Sequence, residues 1–440
     1  MKTHKLLHWL TSITFAVLAL IAGTIALAEE ATNAGVNWLH FGYDDAYTAY
    51  NPIESTLNIT NVVELERKWG LGCGNDYFGN IARVPAIYSD TLYVSGMSSG
   101  LNAYDARTGV LQWQFGTGST WMPQPVVSED GVVFYMEETL PTYLYAVNGQ
   151  TGAQLWKAPL GFELGFSGAS EAVVTVDEAR DLVYLVEVPF GSEEGKLYAL
   201  DKQTGDIAWY MDNFSHNADF KNNYTLLRDD KLYAAAEIPV TAYPFTAEHM
   251  LRIDPVAQNI ELTYAPPVSG TSYYEVEQYT LCNDRLVVGY DYQYDPVKLI
   301  VAYDPISSTI KWQETFSSTI TGKIACNTDT NRIYVPTDPY LYALDAATGA
   351  EVWKYQGYNA IYNPSIANGV VYFLSDNNMY AVDEATGNRL LHYPLGHAAD
   401  ETAQVAIANG MVYFSGDTGT CDLFALWWPK AKIFLPLILR

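Results

Sequence analysis

The phrase LYALDAATGAEVWKY, residues 341 to 355, is written into this chain repeatedly, and no other feature limits its fold so tightly. Its fixed positions are Ala343, Asp345, Thr348, Gly349 and Trp353. The same frame returns at Ala103, Asp105, Thr108, Gly109 and Trp113; at Ala146, Asn148, Thr151, Gly152 and Trp156; and at Ala199, Asp201, Thr204, Gly205 and Trp209. Looser copies stand at Ala302, Asp304 and Trp312 and at Ala381, Asp383, Thr386 and Gly387, where Leu391 takes the tryptophan place. A worn copy keeps Arg252, Asp254 and Leu262. Recurrence at a period of roughly 40 to 55 residues marks units that bury their cores only against one another.

Inside one copy, LYALD alternates as a strand, the Asp-x-x-Thr-Gly stretch is turn chemistry, and AEVWKY resumes a strand, so each phrase is a hairpin. Asp345 accepts hydrogen bonds from the turn backbone, and Gly349 supplies a positive φ. Ala343 leaves room for a neighbouring sheet, and the tryptophan fills the gap between sheets. Upstream of each phrase lies a second hairpin, as in NPSIANGVVYFLS (363–375), AQVAIANGMVYFSG (403–416) and RVPAIYSDTLYVSG (83–96). Each unit therefore has four strands, the repeat of a β-propeller blade, with docking positions at Trp69, Trp113, Trp156, Trp209, Leu262, Trp312, Trp353 and Leu391. The last unit, ending at Trp428, has only three strands, whereas ELERKWGLGC (64–73) is an orphan strand that carries Trp69. The expected fold is all-β: eight four-stranded antiparallel blades, with the N-terminal strand completing the last blade and closing the ring.

The four cysteines fit this scheme. Cys73 and Cys421 fall on one antiparallel pair of the last blade, within disulfide reach, and Cys282 and Cys326 occupy like places at the ends of first strands in neighbouring blades. No C-x-x-C spacing points to zinc or redox work. Residues 1–28 read as a cleaved signal peptide: Lys2 and Lys5 precede an apolar stretch, Leu10 to Ala22, and Ala26-Leu27-Ala28 is a small-residue cleavage site. The expected organisation is a leader over 29–63, the propeller over 64–428 and a short apolar and basic tail over 429–440. The mature chain is expected to be secreted, periplasmic or held at the cell surface, and monomeric, with no transmembrane span. The formal charge is −26 and grows more negative once the two leading lysines are removed, which sets the chain against nucleic acid and anionic membranes. The tail is too short to cross a bilayer and is read as a sorting or attachment segment.

The Ala-x-Asp-x-x-Thr-Gly-x-x-x-Trp frame resembles the tryptophan-docking repeat of PQQ-type eight-bladed propellers. The stretch NWLHFGYDDAYTAYNP (37–52) resembles the leader before the first blade of secreted members, and the resemblance runs from about Asn37 to Trp428. It implies two branches. In the quinoprotein dehydrogenases, PQQ lies in the central funnel, calcium polarises it and an acidic base helps remove hydride from an alcohol or sugar. A non-catalytic branch, including the lipoprotein scaffold of outer-membrane barrel assembly, binds partners on its loops. This chain lacks the adjacent cysteine pair and the haem attachment motif of many dehydrogenases, and it lacks the scaffold's lipidated cysteine. The expectation is a secreted, non-lipidated, non-catalytic propeller that binds a protein or saccharide, with no cofactor. A PQQ- and calcium-dependent alcohol or sugar dehydrogenase, and a cell-envelope assembly or sensor scaffold, are the alternatives.

No single motif carries chemistry. GMSSG (96–100) matches the nucleophile-elbow pattern, but Ser98 falls between two strands rather than at a strand-to-helix turn. NTDTN (327–331) alternates oxygens as a calcium loop does but sits where a hairpin turn is needed, and Asp291 and Asp295 have no identifiable partner. The five histidines outside the signal show no metal spacing. Loops joining one blade to the next should converge on one face, and they carry rings and acids that suit a sugar or peptide: Tyr77, Trp121, Phe166, His216, Asp219, Tyr274, Glu275 and Tyr358, with Tyr362 nearby.

Overall fold

The computed structural model describes residues 35–71, 84–96, 99–116, 124–137, 143–160, 173–187, 195–212, 216, 218–221, 224–238, 247–267, 274–292, 298–395, 403–415 and 423–429. The expected signal segment (1–28), most of the expected tail (429–440), Cys73, Cys421, Tyr77, Ser98, Trp121, Phe166 and Asp295 lie outside the described residues.

The strands form eight sheets that follow one another along the chain as blades of a propeller. Blade 1 consists of Ala86–Tyr88, Thr91–Gly96, Gly100–Asp105 and Leu111–Phe115, and blade 6 of Ala325–Asn327, Arg332–Pro336, Tyr340–Asp345 and Glu351–Gln356. In blade 8, Ala406–Ala408, Met411–Ser415 and Leu423–Trp427 are completed by Glu66–Leu71, which pairs antiparallel with Leu423–Trp427. The N-terminal strand thus closes the ring and removes two free sheet edges.

The repeated phrase sits at the joints between blades. The Asp345 carboxylate accepts the Thr348 N–H at 2.9 Å and its hydroxyl at 2.8 Å, and Asp105, Asn148 and Asp383 hold their own threonines in the same way. Gly349 takes φ +78°, and a Cβ there would meet Trp312 Cε3 of the preceding blade at 2.8 Å. Trp312 lies on that glycine and donates its indole N–H to Ala346 O at 2.8 Å. The same seat recurs for Trp69 on Gly109, Trp113 on Gly152, Trp156 on Gly205 and Trp353 on Gly387, each with its indole bonded to the residue after the turn's Asp or Asn. Across the sheet Ala343 faces Trp353, and the Trp353 ring tilts against Tyr334 of the second strand at 5.8 Å. Trp209 is the exception. Gln258, with φ +53°, stands at the glycine place of the next blade, so the flat glycine seat is missing there. At the following joint, where Leu262 replaces tryptophan, the Tyr264 hydroxyl and Arg252 guanidinium donate to Pro305 O at 2.6 and 2.7 Å instead.

A disulfide joins Cys282 and Cys326, with Cα atoms 5.7 Å apart. It links the first strands of blades 5 and 6, as their like positions led one to expect.

The path of the leader is what sequence patterning did not reveal. It runs around the axis and meets nearly every blade in turn. Trp38 exchanges two backbone bonds with Ile87 of blade 1, and Leu39 O accepts from Val127 of blade 2. Asp45, Ala46, Thr48 and Ala49 then accept from Leu227, Leu281, Cys326 and Ile366 of blades 4, 5, 6 and 7, at 2.7 to 3.0 Å. Asn51 Nδ2 reaches Ile407 O of blade 8 at 2.7 Å. The first strand of a blade has an unpaired inner edge, and in blades 1, 2, 4, 5, 6 and 7 a leader carbonyl accepts one of its N–H groups. The leader thereby plugs the axial channel at the face where the Asp-x-x-Thr-Gly turns lie. On the other side of the leader the axis is lined by the residues that precede the first strands.

Candidate functional site

Above this plug lies a cavity of about 330 Å³. Its floor is Phe41 and Tyr47 of the leader, and its wall includes Gln124, Val173, Tyr224, Gln278, Lys323 and Asn363 from blades 2 to 7. These six wall residues share one register. Each lies three positions before a first-strand residue at the leader's level: Val127, Val176, Leu227, Leu281, Cys326 and Ile366. The strands therefore deliver one inward side chain per blade to the same height.

Aromatic packing fixes the floor. The Tyr47 ring stacks on Tyr224 at 4.7 Å, and Tyr224 stacks on Tyr279 at 4.3 Å. Tyr279 is further tied to Tyr224, its hydroxyl donating to Tyr224 O at 2.5 Å. The Lys323 ammonium lies 4.4 Å from the centre of the Tyr224 ring, a cation–π contact that suits a partly desolvated cation. Asn363 Oδ1 accepts the Lys323 N–H at 2.8 Å and its Nδ2 donates to Ala403 O at 2.9 Å, joining blades 6, 7 and 8.

Three polar atoms in this lining have no partner although they are shut off from water: Tyr47 Oη, Gln124 Oε1 and Gln278 Oε1. Buried polar atoms left unpaired cost free energy, so such a cluster beside a cavity marks a place where something else supplies the bonds. Burial, followed by the neighbouring Tyr224, pushes the Tyr47 phenol well above its ordinary range, so it stays neutral. Glu277, which opens into the cavity, has its carboxyl raised by desolvation in the recess and then by the charge of Asp291.

Of the residues expected on the loop face, the five that are described lie outside the cavity lining. Asp219 accepts the Gly195 N–H at 2.7 Å and pairs with Lys221, locking blade 3 to blade 4. His216 donates its backbone N–H to Asp212 O. Tyr274 and Glu275 face Tyr292 and Asp291 across blade 5, and Tyr358 is 78% exposed. None of these five lines the cavity, whereas Tyr362 does. Asn327 forms a turn with Asp329 and Thr330, not an ion loop, and Asp291 pairs with Lys298. Among the described residues, no group of three or more His, Cys, Asp or Glu side chains is placed to hold a metal ion. The cavity wall had a signal in the sequence after all: the first strands align as QPVV, VVTV, YTLL, QYTL, KIAC and NPSI, and the first letter of each is the inward residue.

Comparison with known proteins places this geometry. The family model described as outer membrane protein assembly factor BamB matches residues 77–243 and 289–423. The chain is 25% identical over 224 residues to a quinoprotein ethanol dehydrogenase of Pseudomonas putida, covering 46% of this chain and 36% of that protein. It is 28% identical over 170 residues to the quinoprotein alcohol dehydrogenase PedH of Pseudomonas putida, covering 36% of this chain and 27% of that protein. It thus spans about a third of the length of these curated relatives. Among solved structures, the quinohemoprotein alcohol dehydrogenase from Comamonas testosteroni superposes with a TM-score of 0.65 at 13% identity, over 89% of this chain and 80% of that one. BamB from Moraxella catarrhalis superposes with a TM-score of 0.60 at 13% identity, over 83% of this chain and 99% of that one. At that identity the likeness is one of fold. With the family match running through most of the blades and an eight-sheet ring beneath it, the chain belongs to the PQQ-like propeller family described as outer membrane protein assembly factor BamB.

Proposed function

We propose that this chain is an exported, non-catalytic binding propeller of the cell envelope. Its working part is the loop-face cavity, and the blades are its scaffold. Residues 1–28 are removed on export, residues 29–63 supply the plug, and 429–440 serve placement. The observation that carries the proposal is the pairing of a sealed aromatic floor with the unpartnered Tyr47 Oη, Gln124 Oε1 and Gln278 Oε1. That is the chemistry of a preformed recognition site, with apolar surface for affinity and a few placed polar atoms for orientation.

The similarity to quinoprotein alcohol dehydrogenases and the raised Glu277 carboxyl favour a second reading, in which PQQ and calcium occupy the cavity. PQQ is a flat quinone with three carboxylates, and calcium takes about six to eight oxygen ligands. Among the described lining residues, Lys323 is the one cation and Glu277 the one carboxylate. This set does not fit the pair. The test is a titration of the mature protein with PQQ and calcium, followed by absorbance and by dye reduction over a panel of alcohols and sugars. The expected result is no saturable binding and no dye reduction, and saturable binding with turnover would overturn the proposal.

A further inference from the structure

We infer that the cavity recognises the end of a saccharide: a free mono- or disaccharide, or the terminal residue of a longer glycan, entering from the loop face and stopping on the leader. This rests on the binding reading above and narrows it to one ligand class.

Three features select the class. First, the unpartnered atoms come from different sides: Gln124 Oε1 from blade 2, Gln278 Oε1 from blade 5 and Tyr47 Oη from the floor. The two amide oxygens only accept, so the occupant must bring hydrogen-bond donors that diverge. A sugar ring carries hydroxyls around its rim and meets this requirement. An extended peptide presents its N–H groups along a line and needs a groove open at both ends. Second, the apolar faces of a sugar ring suit the floor, where Phe41 and Tyr47 give rings without formal charge. Lys323 and Glu277 balance one another in the described lining, so a polyanion gains little there. Third, size and closure limit the ligand's length. A volume near 330 Å³ lies at the bottom of the range of ligand pockets, about 300–1,000 Å³, which is room for one or two sugar rings. The leader crosses the axis below, bonded to blades 1, 2, 4, 5, 6 and 7 by its backbone, so a polymer cannot thread through. Only an end can seat.

The test is calorimetric titration of the mature chain with glucose, galactose, mannose, N-acetylglucosamine, cellobiose and maltose. The same sugars are then offered as terminal residues of oligosaccharides tagged at the reducing end. At least one free or terminal sugar should saturate at one site per chain. Gln124→Leu and Gln278→Leu should each weaken that binding tenfold or more, with an unchanged melting temperature, because each removes an acceptor for a buried hydroxyl. Tyr210→Ala, exposed on the outer strand of blade 3, should leave binding unchanged. Which arm saturates, free or terminal, identifies the source of the ligand. Absence of saturation by every sugar up to millimolar concentration overturns the inference, as does binding insensitive to both glutamine substitutions. Saturation by extended peptides, lost in the glutamine variants, would sink the saccharide class while leaving the binding reading intact. PQQ binding with dye reduction would remove both.

Discussion

At the scale of single residues, the tryptophan frame works because a flat indole needs a flat seat. Gly387 provides one at φ +72°, where an added Cβ would meet Trp353 Cε3 at 2.7 Å, and the Trp353 indole N–H is satisfied by Glu384 O at 2.9 Å. Trp353→Ala removes a side chain only 8% exposed and should cost about 3–5 kcal/mol, as large core truncations do. Gly387→Ala acts on the same joint from the other side. It places Cβ into the indole at a left-handed backbone position and should cost more than about 1 kcal/mol. Chemical unfolding with a common slope checks both. An unchanged midpoint for Trp353→Ala would mean that the indole does not dock the blades.

At the scale of elements, the joint between blades 4 and 5 is one of two whose docking position is not tryptophan, the other being at Leu391. Leu262 leaves it without a tryptophan, and Glu248 from the third strand of blade 4 instead accepts the Val276 N–H of blade 5 at 2.8 Å. Desolvation pushes the Glu248 carboxyl up to about 7, with Glu275 and Glu277 also raising it and Lys221 opposing. Its folded value thus lies above the ordinary value of 4.5, and the fold holds a proton that the unfolded chain releases. The associated stability is present below about pH 4.5, falls as pH rises toward 7 and is lost above it. Glu248→Gln keeps the acceptor without the charge. It should match the parent near pH 4.5 and exceed it at pH 8 by up to about 3 kcal/mol, read as a difference in urea midpoints. A parallel pH dependence in both proteins would remove Glu248 as the cause.

Elements also show what could be read from the chain and what could not. The hairpins and the four-stranded unit were legible because Asp-x-x-Thr-Gly between two apolar runs reverses the chain wherever it occurs. The closure by Glu66–Leu71 was legible because the lone strand that carries Trp69 fits only the blade that is one strand short. The cavity was not. Aromatics near the blade junctions, such as Tyr274 and Tyr358, carry no mark of which way they turn, and inward orientation depends on backbone conformation rather than composition. Gln124, Gln278 and Lys323 look like ordinary strand-entry residues until the first strands of blades 2 to 7 are aligned on one register. The leader shows no period of two or of 3.6, because its blade-contacting residues each answer to a different blade.

At the scale of the whole molecule, ring and plug together turn a channel into a pocket. Eight blades alone leave an axial hole, and a leader bonded around its rim gives the hole a floor on which Phe41 and Tyr47 sit. The single-ended funnel, and with it recognition of a ligand end, stands or falls with that seal. Amide hydrogen exchange of the mature protein measures it most directly. The N–H groups of Leu227, Leu281, Cys326 and Ile366, which donate to leader carbonyls, should exchange as slowly as the central strands of their blades. Exchange of these four amides at the rate of exposed loops would show that the leader is not seated and that the channel is open at both faces.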